Sequence, residues 1–285
     1  MPVPAETHEV KLSYSDLLVQ ARSLKLAPAD AAILMCHRLG ISRASLIAYP
    51  ERIVTATLAA QIQADFAART RGVPVAYLCG VQEFYGLTLA VSPDVLIPRG
   101  DTETLVDTAL AAFDRVQVVH ALDLGTGSGA IALALKSERP HWQLTALDRS
   151  EAALAIARKN AEALKLDVQF LAGDWFAPVT GSYQLIVANP PYIAHGDPHL
   201  NQGDLRFEPS DALAAEQQGM ADLIHIINHS RRFLRTNGWL MLEHGHLQGP
   251  AVNANLAQAG YENINIIKDL GGNDRVSVGR WLRRS

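Results

Sequence analysis

Two periodicities divide the chain. Up to residue 72 the apolar positions recur every three or four residues, the spacing of helices with one buried face. The segment "SYSDLLVQARSLKL" offers Ser13 or Ser15 as an N-cap, and "APADAAILMCHRLG" places Pro28 near a helix start and Gly40 just past its end. A third run, "TLAAQIQADFAARTRG", closes on Gly72. The pattern predicts a small helical bundle over 1–72, too small to be a large catalytic domain. From Val73 to Val91 the period changes to two, broken by Gly80 and Gly86, which predicts a β-hairpin linker over 73–93.

From residue 94 onward, strands alternate with helices. The expected strands are "VVHALDL", "QLTALD", "VQFLA", "YQLIVAN", "GWLMLEH", "ENINIIKD" and "DRVSVGRWL", with helices such as "SEAALAIARKNAEALKL" and "MADLIHIINHSRRFLRTNG" between them. Most of these strands are continuous short apolar runs, as in parallel sheets covered on both faces. A doubly wound α/β domain over 94–285 follows.

Composition narrows the class. The 285 residues suit about two domains of roughly 150 residues each. With 48% apolar and 19% charged residues the chain has globular composition, and no apolar run approaches the roughly 18 residues of a membrane span. The start "MPVPAETHEVKLSY" lacks a basic region followed by an apolar one, so no secretory signal is expected. Cys36 and Cys79 are far apart and form no CxxC pair, which fits a reducing cytoplasm. A net charge of −4 argues against bulk attraction to nucleic acid.

The chemistry begins at "ALDLGTGSGAIALALK", where a strand runs through Gly125, Thr126, Gly127, Ser128 and Gly129 into a helix. Glycines here permit a tight turn and a close approach of ligand to backbone. Asp148 ends the next strand, about 20 residues on, where a carboxylate can accept ribose hydroxyls. An adenosine-type cofactor is implied. The letters satisfy both the dinucleotide fingerprint, with Ala130 in its last place, and an S-adenosylmethionine loop. A turn whose glycines serve packing alone is the plainer alternative, and the strand, helix and distal Asp in their required places weigh against it.

The stretch "LIVANPPY" distinguishes the two cofactors. It follows the fourth strand of the sheet, and open α/β sheets bind ligands beyond the carboxyl ends of their strands. Pro190 and Pro191 make the segment rigid, Asn189 adds a carbonyl acceptor and an amide donor, and Tyr192 adds a flat apolar face. Such a set suits a planar –NH₂ group conjugated to a carbonyl or ring. Two hydrogen bonds to that nitrogen strengthen as it gains positive charge, which stabilises the transition state selectively. Hydride transfer calls for nothing of the kind, so a methyl donor is the better reading.

Taken with "GVPVAYLCGVQEFYGLTLAVSPDVLIPRGDTETLV", "DLRFEPSDAL", "GMADLIHII", "LEHGHLQG" and "GGNDRVSVGR", these motifs give a chain that resembles, over nearly its whole length, the release-factor glutamine methyltransferases of the HemK/PrmC type. The resemblance implies a class I S-adenosylmethionine-dependent methyltransferase: a Rossmann-like doubly wound sheet, with the helical domain as a substrate-binding domain. It implies S-adenosylmethionine as donor, S-adenosylhomocysteine as product and no metal. The implied acceptor is the Gln amide in the Gly-Gly-Gln loop of class 1 peptide-chain release factors. Carried over by position, Gly125 through Gly129, Asp148 and Asn189 would bind the cofactor, Asp174 and Trp175 would sit by the adenine, and Asn189, Pro190, Pro191 and Tyr192 would grip the Gln amide. Catalysis would fall to Asn189, Pro190 and Tyr192. A cytoplasmic monomer is expected, without direct contact to nucleic acid or membrane. The chain departs from the family's Pro-Arg-Pro-Asp-Thr-Glu at Gly100, which loosens the backbone that places Arg99 and Glu103.

The long polar stretch after Tyr192 predicts a wall or lid over the Gln pocket, best defined at Arg206, Phe207 and Glu208. His195 and His199 are separated by Gly196 and Pro198, and His225 and His229 lack the Glu of a zincin motif, so neither pair is expected to hold a metal. His244 and His246 receive no role. The rival functions are an amino-methyltransferase of DNA or RNA bases, disfavoured by the acidic balance, and a non-catalytic adenosine-binding module.

Overall fold

The structure, a computed structural model, describes residues 11–282. The first ten residues, where no secretory signal is expected, lie outside that range, as does the side chain of His199. The chain divides into two compact units, Met1–Gly80 and Val81–Ser285.

The first unit is helical: α1 (Tyr14–Ser23), α2 (Pro28–Leu39), α3 (Arg43–Ala48), α4 (Ala56–Thr70) and α5 (Val75–Cys79). Ser13 caps α1 in a reciprocal box with Asp16, and Gly40 ends α2 at φ 64. Leu17, Leu34, Met35, Ile62 and Phe66 are buried in its core. Asp65 is buried against Arg38, which donates to it at 2.6 and 2.9 Å. The helix α5 replaces the start of the hairpin expected at Val73. Pro74 sets its entry at φ −56, and Val75, Leu78 and Cys79 pack on the bundle at helical spacing.

In the second unit the hairpin is confined to β1 (Val81–Phe84) and β2 (Leu87–Ala90). Tyr85 and Gly86 both have positive φ, the two-residue turn whose twist matches its strands. After α6 (Glu103–Ala111) come β3 (His120–Leu124), α7 (Ala130–Glu138), β4 (Gln143–Asp148), α8 (Glu151–Leu164), β5 (Gln169–Ala172) and β6 (Tyr183–Ala188). A small pair, β7 (Ile193–Ala194) with β8 (Ala214–Ala215), a turn α9 (Glu216–Gly219) and α10 (Ala221–Ser230) follow. The chain finishes with β9 (Leu234–Glu243), α11 (Gly249–Gln258), β10 (Glu262–Lys268) and β11 (Asp274–Trp281).

The seven expected strands make one sheet in the order β10-β11-β9-β6-β3-β4-β5. The five from β9 to β5 are parallel, and β11 runs antiparallel between β9 and β10. Alternate residues feed opposite faces. On β6, Leu185 and Val187 enter the core with Leu105, Val106 and Leu133, whereas Ile186 and Ala188 enter the one with Leu223, Ile226 and Leu256. Both faces are apolar because both are covered, which is why these strands show no alternation. The carboxyl ends of β3, β4, β6 and β9 meet along one edge.

Candidate active site

At that edge lies a cavity of about 720 Å³. Gly125, Gly127, Asp148, Asp174, Trp175, Asn189 and Pro191 all line it. Thr126, Ser128 and Gly129 are buried behind them, Pro190 is buried, and Tyr192 stands half-buried against the second core cluster.

Buried groups that pattern reading did not single out shape the glycine loop. Gly125 and Thr126 donate backbone N–H to the Leu147 carbonyl at 2.8 and 2.9 Å, tying the loop to β4. Gly125, Gly127 and Gly129 have φ of 72, 56 and 87, a region that a side chain would strain. Beneath the loop Asp123 is fully buried and accepts from the Thr126 hydroxyl at 2.6 Å and from Ala132 N at 3.3 Å. Among the described residues its other oxygen, Oδ1, has no hydrogen-bond partner, and burial pushes the carboxyl's pKa up to about 7. Asn160 of α8 donates to the carbonyls of Ser128 and Ala90 at 2.9 and 3.0 Å and accepts from Ala90 N at 2.7 Å, so it locks the loop to the hairpin.

Asp148 accepts from Gly127 N at 2.8 Å and from Ser150 N at 2.9 Å. A carboxylate has about four acceptor positions, so two remain for a ligand's hydroxyls. The Trp175 ring lies over the loop, 3.7 Å from where a Cβ on Gly125 would stand, with the Asp222 carboxyl facing its indole. Asp174 is exposed at the rim.

Asn189 leaves the end of β6. Its Nδ2 donates to the Thr102 hydroxyl at 3.3 Å, and among the described residues its Oδ1 accepts no hydrogen bond. Nor does the Pro190 carbonyl accept one from a described backbone N–H. The Tyr192 hydroxyl donates to Glu243 Oε1 at 3.4 Å, and burial beside that carboxylate keeps the phenol protonated. The Tyr192 carbonyl accepts from Gln248 Nε2 at 3.0 Å, and Gln248 Oε1 accepts from Gly245 N at 2.9 Å. These partners come from segments whose sequence signal is confined to "DTE" and "LEHGHLQG".

The long stretch after Tyr192 forms a wall, though by other residues than the best-defined ones expected. Pro209 to Ala212, Ala214 and Ala215 line the cavity. Glu208 instead anchors the loop, its side chain fully buried, accepting from Ile97 N at 3.0 Å and pairing with Arg99. Glu103 accepts from Tyr85 N at 2.8 Å, and Gly100 keeps an ordinary φ with open space about it. His225 and His229 stack with ring centroids 4.2 Å apart. Among the described residues no group of three or more His, Cys, Asp or Glu side chains is placed to hold a metal. His244 is buried between the Gly245 carbonyl and the Ser277 hydroxyl, each at 2.9 Å. No helix among the described residues is long and apolar enough to cross a membrane.

Comparison with known proteins agrees with this architecture. Residues 102–207 match the Methyltransferase small domain family, and residues 13–80 match the PrmC N-terminal domain. The release factor glutamine methyltransferase of Vibrio cholerae is 46% identical over 257 residues, covering 88% of this chain and 89% of its own. That of Escherichia coli strain K12 is 47% identical over 256 residues, covering 89% and 92%. A solved methyltransferase from Pyrococcus furiosus shares the fold at a TM-score of 0.55 and 18% identity, over 80% of this chain and 100% of its own. The sheet is that of a class I methyltransferase, as the sequence led one to expect.

Proposed function

The chain belongs to the release factor glutamine methyltransferases, and from that premise we propose how its site works. The donor is S-adenosylmethionine, which supplies an electrophilic sulfonium methyl group and leaves as S-adenosylhomocysteine without help from a metal. The acceptor is N5 of the Gln in the Gly-Gly-Gln loop of class 1 release factors, so that methylation tunes translation termination.

The residues present fit such a donor. The glycine backbone leaves room for a close ligand, Asp148 keeps free acceptor capacity beside Gly127, and Trp175 offers a ring face with Asp174 at the rim. Asn189 Oδ1 and the Pro190 carbonyl accept the two N–H groups of the substrate amide, with the Pro-Pro segment holding them rigid and Tyr192 flanking the planar group. Amide nitrogen is a poor nucleophile because its lone pair is delocalised. Acceptors that tighten as the nitrogen pyramidalises lower the barrier without a strong base, and positioning supplies the rest.

One observation carries this reading: Asn189 spends its donor on Thr102, which leaves its acceptor oxygen unused on the cavity that Gly125, Asp148 and Trp175 also line. Asn189→Ala should lower kcat at least ~100-fold, an effect of the size known for deleting one preorganised transition-state contact, while the glycine loop and Asp148 still bind S-adenosylhomocysteine. Full methyl transfer by the variant would remove the role given to this stretch.

We place substrate docking on the helical domain. Ile47, Tyr49 and Ile53 are 71%, 52% and 54% exposed on one short stretch of it, an apolar surface suited to a protein partner. The enzyme works as a cytoplasmic monomer that does not contact nucleic acid directly.

A further inference from the structure

Glu243 closes β9, next to β6, the strand that leads into Asn189, since Ala188 and Leu242 are register partners. It is buried at 1% exposure, and among the described residues its Oε2 has no hydrogen-bond partner. Four groups face it from three other segments: the Thr102 hydroxyl and Asp101 from the turn before α6, Tyr192 from the loop after β6, and Arg275 from β11. Arg275 in turn pairs with Asp101 at 2.9 Å and Asp269 at 3.0 Å, so its charge is shared.

The Thr102 hydroxyl has one hydrogen. Because its oxygen accepts from Asn189 Nδ2, that hydrogen must go to another acceptor, and the Glu243 carboxylate is the one that faces it. The same carboxylate accepts from Tyr192. Glu243 therefore meets one end of the Asn-Pro-Pro-Tyr stretch directly, at Tyr192, and faces Thr102, which accepts from Asn189 at the other.

We propose that Glu243, acting through Thr102, is the positioning residue that fixes the Asn189 amide with its oxygen toward the substrate, and that it does so only as the carboxylate. The proposal rests on the functional reading above. A carboxylate can only accept, so Thr102 must donate to it and accept from the Asn189 NH₂. A carboxylic acid can donate to Thr102 instead. The Thr102 hydrogen is then free to go to Asn189 Oδ1, which turns the amide over and presents an NH₂ where the substrate also offers NH₂. The two orientations differ by one proton at Glu243. Burial raises its pKa to about 7, opposed by Thr102, Arg275 and Tyr192, so this exchange falls within an accessible pH range.

The test is steady-state methylation of a class 1 release factor between pH 5.5 and 9 by wild type, Thr102→Ser, Thr102→Val and Glu243→Gln. Thermal melting and S-adenosylhomocysteine titration are run on each. Thr102→Val should lose roughly 10- to 100-fold in kcat, the range for one buried hydrogen bond in a polar network, with KM for the release factor within about threefold because remote docking contacts set KM. Thr102→Ser should restore kcat. Wild-type kcat should fall with a slope of one below about pH 7. In Glu243→Gln that acid limb should vanish, with kcat near the wild-type acid value throughout. Should Thr102→Val not fold, the Glu243→Gln profile decides alone. Equal kcat for the Ser and Val variants, or an unchanged acid limb in Glu243→Gln, would overturn the proposal. Wild-type enzyme that binds S-adenosylhomocysteine but methylates no release factor at any pH would instead defeat the functional reading on which it stands.

Discussion

Asp123 is fully buried beneath the glycine loop with one oxygen unpartnered among the described residues, and its replacement by Asn should remove a loss of stability that develops as pH rises to about 7. Burial moves the carboxyl from 3.8 to about 7, a shift that Asp148 reinforces and Thr126 and Ala132 oppose. A raised carboxyl keeps its proton longer in the folded chain than in the unfolded one. Both states are protonated below the unfolded value and no penalty exists there. As pH climbs toward about 7 the folded chain holds a proton that the unfolded chain has released, so stability falls. Above the folded value the whole penalty is present. Two pH units of that interval lie between pH 5 and 8, and at about 1.4 kcal/mol each they give roughly 2–3 kcal/mol.

Asp123→Asn keeps an acceptor for Thr126 and cannot ionise. Its stability relative to wild type should thus improve by about 2–3 kcal/mol from pH 5 to pH 8. Urea unfolding followed by tryptophan fluorescence measures this cleanly, because Trp142, Trp175, Trp239 and Trp281 all lie beyond Gly80 and report only the catalytic unit. The comparison within each pH cancels Glu243, which titrates in both proteins. A difference constant within about 0.5 kcal/mol, the resolution expected of such fits, would refute the claim that burial holds Asp123 protonated.

Two further predictions concern glycines of opposite kinds. A Cβ on Gly219 would stand 2.1 Å from the Tyr192 carbonyl oxygen, at φ +82. Gly219→Ala should therefore displace Tyr192, costing about 1–3 kcal/mol in urea unfolding and cutting kcat on the release factor while S-adenosylhomocysteine still binds. A stable, fully active variant would contradict that packing. Gly100 has an ordinary φ and open space around it, so Gly100→Ala should raise stability by about 0.4–1 kcal/mol through the unfolded chain. A lower urea midpoint would show the site to be tighter than it stands here.

The sequence disclosed what a short window can hold. The seven strands were readable because each is a compact apolar run, and Gly125 to Gly129, Asp148 and the Asn-Pro-Pro-Tyr stretch because strand, turn and chemistry are contiguous. Helix α5 was hidden because five residues give barely more than one turn, and Val75, Tyr77 and Leu78 have β-rich character. Thr102, Glu243 and Gln248 were hidden for another reason. Each is an ordinary polar residue locally, and only the β6–β9 pairing and the turn before α6 bring them to Asn189 and Tyr192. Asp123 sat within the glycine motif, yet its burial and unpartnered oxygen belong to the tertiary structure alone.

The most direct test of the account is transfer of a labelled methyl group from S-adenosylmethionine to a purified class 1 release factor. A Gln→Ala version of its Gly-Gly-Gln loop and an unmethylated DNA duplex would be assayed beside it. The account predicts label on the intact factor, none on the Gln→Ala version and none on DNA. Label that persists on the Gln→Ala factor, or that appears on DNA alone, would contradict it.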